Sequence, residues 1–203
     1  MKRLLPLLLF LLAPFTIAQK TAPVIVCFGD SLTAGHGAAS GHSYPDYLQQ
    51  LLDSRGYHYR VLNMGVSGDT TKDGVTRLSS VIAAHPAIAV VEFGGNDGLR
   101  GLPITATRSS LDQIIAALQH AGIKVALAGI TLPPNYGQDY IQAINQTYAL
   151  AAKKFRTPLL PFLLDNVYNV PGAMQSDGIH ATAKGNALVA KNVYGLIQPL
   201  LRK

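Results

Sequence analysis

The chain has 203 residues, a formal net charge of +6 and a hydrophobic fraction of 48%, with only 14% charged residues. This length and composition predict one folded domain with a sizeable core and exclude a disordered chain. The basic residues are scattered, and their densest group is only Lys153, Lys154 and Arg156. Because no basic stripe interleaved with aromatic residues is present, we expect no nucleic-acid partner.

The first 18 residues have the pattern of a secretory signal peptide. Lys2 and Arg3 form a positive start, an apolar run over residues 4–15 follows, and Ala18 ends a small-residue cleavage site before Gln19. The apolar run is too short to span a bilayer, although an uncleaved anchor remains the alternative. We therefore expect a signal peptide over 1–18 and a single domain over 19–203, which is periplasmic or secreted without a stable membrane anchor.

The first predicted strand, residues 24–28, is a continuous apolar run that ends at a turn. Such a run is typical of a central strand in a parallel sheet. Ser31 follows it directly, at the edge where open α/β sheets place their chemistry. Ser31 is therefore a candidate nucleophile, and the alternative is that it only caps the next helix.

The loop that follows does not indicate a cofactor or a metal. The glycines of residues 35–41 lack the spacing of a dinucleotide-binding loop. His36 and His42 have no carboxylate beside them, so we expect solvated side chains and no metal site. Cys27 is the only cysteine, which excludes an intrachain disulfide and a cysteine metal site. We expect no cofactor.

Five predicted strands alternate with helices along the chain. The strands are residues 24–28, 59–64, 88–93, 124–130 and 159–164. The helices are residues 43–55, 73–84, 105–121, 139–154 and 183–201. This alternation predicts an α/β fold with a five-stranded parallel sheet between two layers of helices. Residues 165–176 are expected to be irregular.

Polar residues follow the strand ends in a combination that suits acyl transfer. Ser31 needs a base to take its proton, and an imidazole such as the side chain of His180 suits that task near neutral pH. Asp177, three residues earlier, is placed to orient the imidazole. The Ser31 and Gly65 amides and the Asn96 side chain are candidate donors to the oxyanion. The sequence therefore predicts a Ser-His-Asp triad with an oxyanion hole.

These residues stand in five blocks that resemble those of the SGNH, or GDSL, hydrolases. The blocks are residues 28–35 (FGDSLTAG), 65–71 (GVSGDTT), 94–101 (GGNDGLRG), 134–137 (PNYG) and 177–180 (DGIH). Within that family the chain is most similar to the bacterial periplasmic group of arylesterases, thioesterase I and lysophospholipases. The resemblance spans essentially the whole mature chain and implies a flavodoxin-like fold.

The resemblance assigns a role to each matching residue. It implies Ser31 as nucleophile, His180 as base and Asp177 as its orienting partner, with Ser31, Gly65 and Asn96 in the oxyanion hole. Two positions depart from the family pattern. Met64 replaces a small residue and is expected to reshape the nearby pocket, and Ala181 replaces a proline after the histidine.

Several polar residues inside the blocks are expected to be structural. Asp30, Asp69 and Asp97 are predicted to support loops by accepting backbone amides. Asn63 is predicted to be structural as well.

The predicted walls of the site suit an acyl chain. Leu99, Pro134 and Tyr136 are the expected substrate-binding residues, and the chain has no tryptophan to serve as a sugar platform. We therefore expect a monomer that hydrolyses small-molecule acyl esters and thioesters, including aryl esters and lysophospholipids. Two alternatives remain. One is a carbohydrate O-acetyl esterase on the same site, and the other is a non-catalytic periplasmic lipid-binding protein.

Overall fold

The computed structural model describes residues 22–203, so the predicted signal peptide over 1–18 lies outside the described residues. The described chain contains one parallel sheet. Its strands are β1 (Val24–Gly29), β2 (Arg60–Gly65), β3 (Ile88–Glu92), β4 (Lys124–Ala128) and β5 (Leu159–Leu160). The order across the sheet is β2-β1-β3-β4-β5, and every neighbouring pair is parallel. This is the flavodoxin-like order, so the predicted fold class is confirmed.

Helices cover both faces of the sheet. They are α1 (Ser31–Ala34), α2 (Tyr44–Ser54), α3 (Thr71–Ala83), α4 (Gly95–Leu99), α5 (Ile104–His120), α6 (Gln138–Phe155) and α7 (Ala183–Ile197). Helix α2 packs against α7, while α5 packs against both α3 and α6. Two short 3₁₀ segments, Pro134–Tyr136 and Gln198–Leu200, complete the regular structure of the described residues.

Capping residues fix the starts of two helices that support the site. Ser43 begins α2 and Thr70 begins α3, each accepting a hydrogen bond from the third helical amide. The carboxylates of Asp46 and Asp73 accept a hydrogen bond from the backbone amide of the capping residue, which completes a capping box in both helices. These local signals explain why the two helices begin within two residues of the predicted positions.

The sheet differs from the prediction at its β5 edge. The predicted strand over 159–164 pairs with β4 only at Leu159 and Leu160. Pro161 comes next and has no amide hydrogen to donate to the sheet. The chain then turns, and the Leu163 amide donates to the Gly129 carbonyl at 2.8 Å. Residues 161–164 therefore leave the sheet and cross its carboxyl edge.

The centre of the sheet determines where a site can form. Strand β1 pairs with β2 on one side and with β3 on the other, so the chain reverses its winding direction at β1. Strands β1 and β3 are completely buried. The loops after their carboxyl ends part on opposite sides, which leaves a crevice at the edge of the sheet. Ser31 follows β1 and Asn96 follows β3, so both residues lie at this crevice.

Candidate active site

Ser31 is the first residue of α1, immediately after β1. The helix is capped by Asp30, whose carboxylate accepts a hydrogen bond from the Leu32 amide at 3.0 Å. The alternative in which Ser31 is the cap is therefore wrong, because Asp30 occupies that position. The Ser31 hydroxyl instead lies 2.9 Å from Nε2 of His180, across 149 residues of sequence.

His180 is held from its other side by Asp177. Nδ1 of the imidazole lies 2.7 Å from Oδ2 of Asp177. The second carboxylate oxygen accepts hydrogen bonds from the Ile179 amide at 2.9 Å and the His180 amide at 3.0 Å. The Tyr168 hydroxyl donates to the Gly178 carbonyl at 2.9 Å and so ties this loop to the preceding segment. The structure thus brings the three predicted triad residues into one hydrogen-bonded chain.

The charge on Asp177 determines which atoms donate and which accept in the hydrogen bonds that link Ser31, His180 and Asp177. Burial raises the pKa of Asp177, but the hydrogen bonds from the His180 side chain and from the two amides outweigh it and lower the pKa to about 2. The carboxylate is therefore ionised near neutral pH and can only accept. Nδ1 of His180 then carries the hydrogen, which leaves Nε2 free to accept the Ser31 proton.

Asn96 lies in the first turn of α4, beside the nucleophile's loop. Its side-chain nitrogen donates to Oδ2 of Asp30 at 3.1 Å and to the Asp69 carbonyl at 3.0 Å. Gly94 precedes this helix with a φ of +112°, a conformation that favours glycine, and a β-carbon there would collide with the Tyr148 hydroxyl. The glycine therefore permits the sharp turn that places Asn96 at the crevice.

The amide of Gly65, the predicted oxyanion donor, is engaged in another hydrogen bond. This amide donates to the Asn63 side chain at 2.9 Å. Gly68, three residues later, has a φ of +88° in a turn closed by a hydrogen bond from the Asp69 amide to the Val66 carbonyl. Among residues 22–203, the Gly68 amide donates no hydrogen bond. Because the Asp69 carbonyl contacts Asn96, Gly68 lies next to the second donor.

The sequence analysis singled out Gly65 and not Gly68, although both belong to one block. The Ser-Gly-Asp neighbourhood of Gly68 lies in the same block as Gly65, and both glycines follow the second strand. The sequence alone does not show that the Asn63 side chain turns back onto the Gly65 amide. That contact decides between the two glycines.

A largely apolar cleft begins at Ser31 and His180 and holds about 600 Å³ of empty space, including the part open to solvent. Its apolar side chains are Leu32, Leu99, Ile130, Leu132, Pro133, Phe162, Leu164, Tyr168 and Ile179. The predicted wall residue Leu99 is among them, but Pro134 and Tyr136 lie outside this lining. The Tyr136 hydroxyl instead donates to the Leu99 carbonyl at 3.1 Å, so Tyr136 contacts the backbone of a wall residue without lining the cleft itself.

One side of the cleft comes from residues that the sequence analysis placed in a strand and an irregular segment. Phe162 and Tyr168 stack with their ring centroids 5.8 Å apart. Phe162 reaches the cleft because the chain leaves the sheet after Pro161. The signal was the proline, which the strand prediction included instead of treating it as a strand end.

The supporting acidic residues behave mostly as predicted. Asp30 accepts the Leu32 amide, and Asp97 accepts the Thr71 amide at 2.9 Å. Asp69 differs, because its carboxylate pairs with Arg77 at 2.6 Å. Asn63 is structural as predicted, since it holds the Gly65 amide.

Met64 and His36 both lie near the site, and only Met64 departs from its expected surroundings. Met64 was expected to reshape the pocket, but its side chain packs against the core and is absent from the cleft lining. His36 is exposed as predicted, yet its ring centroid lies 4.6 Å from that of His180.

Residues 22–203 show neither a metal-binding cluster nor a membrane-spanning helix. No group of three or more histidine, cysteine, aspartate or glutamate side chains in this range is arranged to hold a metal ion. No helix in the same range combines the length and the apolar character needed to cross a membrane.

Comparison with known proteins shows which family the chain resembles. A model of the GDSL-like lipase/acylhydrolase family matches residues 27–188. Esterase TesA of Pseudomonas aeruginosa is 40% identical over 184 residues, which cover 90% of this chain and 92% of that protein. Thioesterase 1/protease 1/lysophospholipase L1 of Escherichia coli K12 is 37% identical over 198 residues, covering 97% of this chain and 93% of that protein.

A solved structure agrees with these sequence matches. The crystal structure of TesA superposes with a TM-score of 0.84 at 40% identity, covering 88% of this chain and 99% of that chain. The residues matched by the family model include Ser31, the blocks over 65–71 and 94–101, and the loop with Asp177 and His180. The chain belongs to the GDSL-like lipase/acylhydrolase family.

Proposed function

We propose that this protein is a serine esterase that hydrolyses acyl esters and thioesters through an acyl-enzyme on Ser31. The observation that carries the proposal is the hydrogen-bonded chain from Ser31 through His180 to Asp177, with distances of 2.9 and 2.7 Å. The two curated relatives support the same chemistry, since one is named an esterase and the other a thioesterase and lysophospholipase.

Acylation follows from the direction of the hydrogen bonds. Oγ of Ser31 attacks the substrate carbonyl carbon, and Nε2 of His180 takes the hydroxyl proton. The ionised Asp177 stabilises the resulting imidazolium. The imidazolium then gives its proton to the departing alcohol or thiol as the bond to the acyl carbon breaks. A water molecule, activated by the same imidazole, releases the acid and restores Ser31.

The tetrahedral intermediate needs donors for its oxyanion. We assign this task to the Ser31 amide, the Gly68 amide and the Asn96 side chain, in place of the predicted Gly65. The two amides have no acceptor among residues 22–203, so both are free to donate. Asn96 shares one of its hydrogens with the oxyanion, since both are engaged in this structure. Loss of one such donor typically lowers the rate about 10²–10³-fold.

The cleft favours acyl chains over sugars as the group held beside Ser31. Its wall carries leucine, isoleucine and proline side chains together with the stacked Phe162 and Tyr168. An apolar wall stabilises a bound alkyl or aryl group by removing it from water. Aryl esters, acyl thioesters and lysophospholipids are therefore the proposed substrates. We further propose that the mature protein is a periplasmic or secreted monomer.

The test is hydrolysis of p-nitrophenyl esters from acetyl to palmitoyl, together with an acyl thioester. Ser31→Ala is measured in parallel, and Ser40→Ala in the exposed loop is the matched control. The proposal expects turnover by the wild type and by Ser40→Ala, and no turnover above background by Ser31→Ala.

The chain-length profile then distinguishes the alternatives. A preference for medium or long acyl chains supports the acyl-chain esterase. A strict preference for acetyl, with release of acetate from polysaccharide, would favour the carbohydrate O-acetyl esterase. Binding of lipid without hydrolysis of any ester or thioester would contradict the proposal and favour a lipid-binding protein.

A further inference from the structure

Glu92 is the only glutamate in the sequence, and it lies at the end of β3, in the centre of the sheet. The residue is completely buried. One carboxyl oxygen, Oε2, accepts the Thr33 hydroxyl at 2.7 Å and lies 3.4 Å from the Asp30 amide. The other oxygen, Oε1, has no hydrogen-bond partner among the described residues. A buried carboxylate without a cation is costly, so this group needs an explanation.

Asp30 lies directly beside Glu92 and is buried as well. Neither carboxyl group forms an ion pair with a lysine or arginine of the described chain. Two carboxylates in contact in a buried site cannot both ionise without a large penalty, so the pair retains one proton near neutral pH. The geometry decides which member keeps it.

The hydrogen-bond donors around the pair favour a negative charge on Asp30 over one on Glu92. The two carboxylate oxygens of Asp30 accept the Leu32 amide at 3.0 Å and the Asn96 side chain at 3.1 Å. Glu92 receives only one short hydrogen bond, from the neutral Thr33 hydroxyl. An acceptor that receives more donors stabilises a negative charge better. Asp30 is therefore the carboxylate, and Glu92 is the neutral acid.

We propose that Glu92 is a positioning residue of this active site: its uncharged carboxylic acid leaves Asp30 as the single carboxylate of the pair, and Asp30 in turn orients the Asn96 amide. The inference rests on the proposed function. Because Asp30 fixes one Asn96 hydrogen, the amide plane is set before substrate binds. The other hydrogen, held by the Asp69 carbonyl next to Gly68, is the one that an oxyanion shares.

The other ionisable groups around the pair are consistent with one shared charge. Burial, followed by the charge of Asp30, raises the pKa of Glu92 well above its usual value. Burial raises the pKa of Asp30 to about 6, although the Leu32 amide and His180 act against it. Tyr44, Tyr148 and His180 interact electrostatically with the pair, while Cys27 lies beside Tyr44 and Asp97 acts on Tyr148. Burial raises the pKa of both tyrosines and of the thiol, so these three stay neutral.

The experiment combines substitutions at Glu92 and Asn96 and measures kcat and KM with p-nitrophenyl butyrate. Glu92→Gln keeps a neutral polar group of the same shape. Glu92→Leu replaces the polar group with an apolar side chain of similar volume. Glu92→Gln is expected to retain kcat within about threefold of wild type. Glu92→Leu is expected to lose about 10- to 100-fold in kcat with KM within twofold, as for partial loss of an oxyanion donor.

The double variant Glu92→Leu/Asn96→Ala distinguishes positioning from general support of the fold. If Glu92 acts through Asn96, the leucine substitution lowers kcat less than twofold further once Asn96 is already alanine. A further loss as large as that in the single variant would overturn the proposal. So would a Glu92→Leu enzyme with wild-type kcat, or a Glu92→Gln enzyme as impaired as Glu92→Leu. The wild type and Ser31→Ala are assayed alongside, so failure of the proposed function is seen separately.

Discussion

Among single residues, Asp177 has the clearest influence on His180. It accepts hydrogen bonds from the imidazole and from two backbone amides, and these lower its pKa to about 2 against the opposing effect of partial desolvation. The ionised carboxylate therefore selects the imidazole tautomer that can take a proton from Ser31. An amide in its place would remove the charge and offer a donor to Nδ1.

Asp177→Asn should lower kcat by about 10²–10⁴-fold, because the imidazole would adopt the wrong tautomer and its cation would lose its partner. The measurement is the steady-state rate with p-nitrophenyl butyrate. Asp165→Asn, an exposed carboxylate on the segment before this loop, is the matched control and should keep the wild-type rate. Equal rates for both variants would contradict the assigned role of Asp177.

Protonation of Glu92 predicts how the stability of the fold changes with pH. The Glu92 carboxyl ionises at a higher pH in the folded protein than in the unfolded chain, so over that interval the folded state binds more protons. Stability must then fall as the pH rises. Glu92→Gln has no proton to lose, and we expect its free energy of unfolding to decrease less between pH 5 and pH 8.

Urea denaturation at the two pH values measures this difference. Asp53→Asn, at an exposed position of α2, is the control and should keep the wild-type pH dependence. If Glu92→Gln and wild type lost the same stability over this interval, Glu92 would not be protonated in the folded state.

The residues of the proposed triad could be named from the sequence because each needs a particular chemical group beside a strand end. The proposed oxyanion glycine could not be, because a backbone amide carries no side-chain signature. Gly65 and Gly68 differ only in that the Asn63 side chain takes the hydrogen of the first. Glu92 was also missed, since a single acidic residue inside an apolar strand gives no indication of its partner 62 residues away.

At the scale of elements, the cleft wall depends on the loops that hold it. The Tyr136 hydroxyl donates to the Leu99 carbonyl at 3.1 Å and connects the 3₁₀ segment after β4 to the end of α4. Tyr140 makes a parallel contact, donating to the Leu102 carbonyl at 3.0 Å. Leu99 lines the cleft and Leu102 does not, so the two tyrosines form a matched pair.

Tyr136→Phe should raise KM for octanoyl and longer p-nitrophenyl esters by about two- to fivefold, as expected for the loss of one hydrogen bond of about 1 kcal/mol. The acetyl ester, which does not reach the wall, should be unaffected. Tyr140→Phe should leave the whole chain-length profile unchanged. A profile shifted equally by both substitutions would show that the Leu99 contact has no specific effect on the wall.

The long elements were predictable from periodicity and caps, whereas the short ones were not. Helices α1 and α4 have only four and five residues, which is too short for an apolar repeat to appear in the sequence. Strand β5 ends at Leu160 because Pro161 cannot continue the ladder. Leu32 of α1, Leu99 of α4 and Phe162 just after β5 line the cleft, so part of its wall comes from elements that the sequence pattern did not define.

At the scale of the whole molecule, the strand order places the site. The chain winds outward from β1 in both directions, and the site forms where the two directions part. All the residues of the proposed machinery lie within 30–180, well after the predicted signal peptide. Its removal should therefore leave the active site complete.

Export in a bacterial host tests the signal-peptide prediction. The exported protein should begin at Gln19 when its amino terminus is sequenced and should keep the full kcat/KM. Leu8→Arg interrupts the apolar run and should leave the full-length chain in the cytoplasm. An exported chain that still begins at Met1 would favour the uncleaved anchor.

Covalent labelling of the nucleophile tests the central claim most directly. The protein is treated with diethyl p-nitrophenyl phosphate, which phosphorylates an activated serine, and the labelled peptide is located by mass spectrometry. We expect one diethyl phosphate per chain, on Ser31, with labelling abolished by Ser31→Ala and strongly slowed by His180→Ala. Labelling at another residue, or labelling of Ser31 at the same rate without His180, would contradict the account.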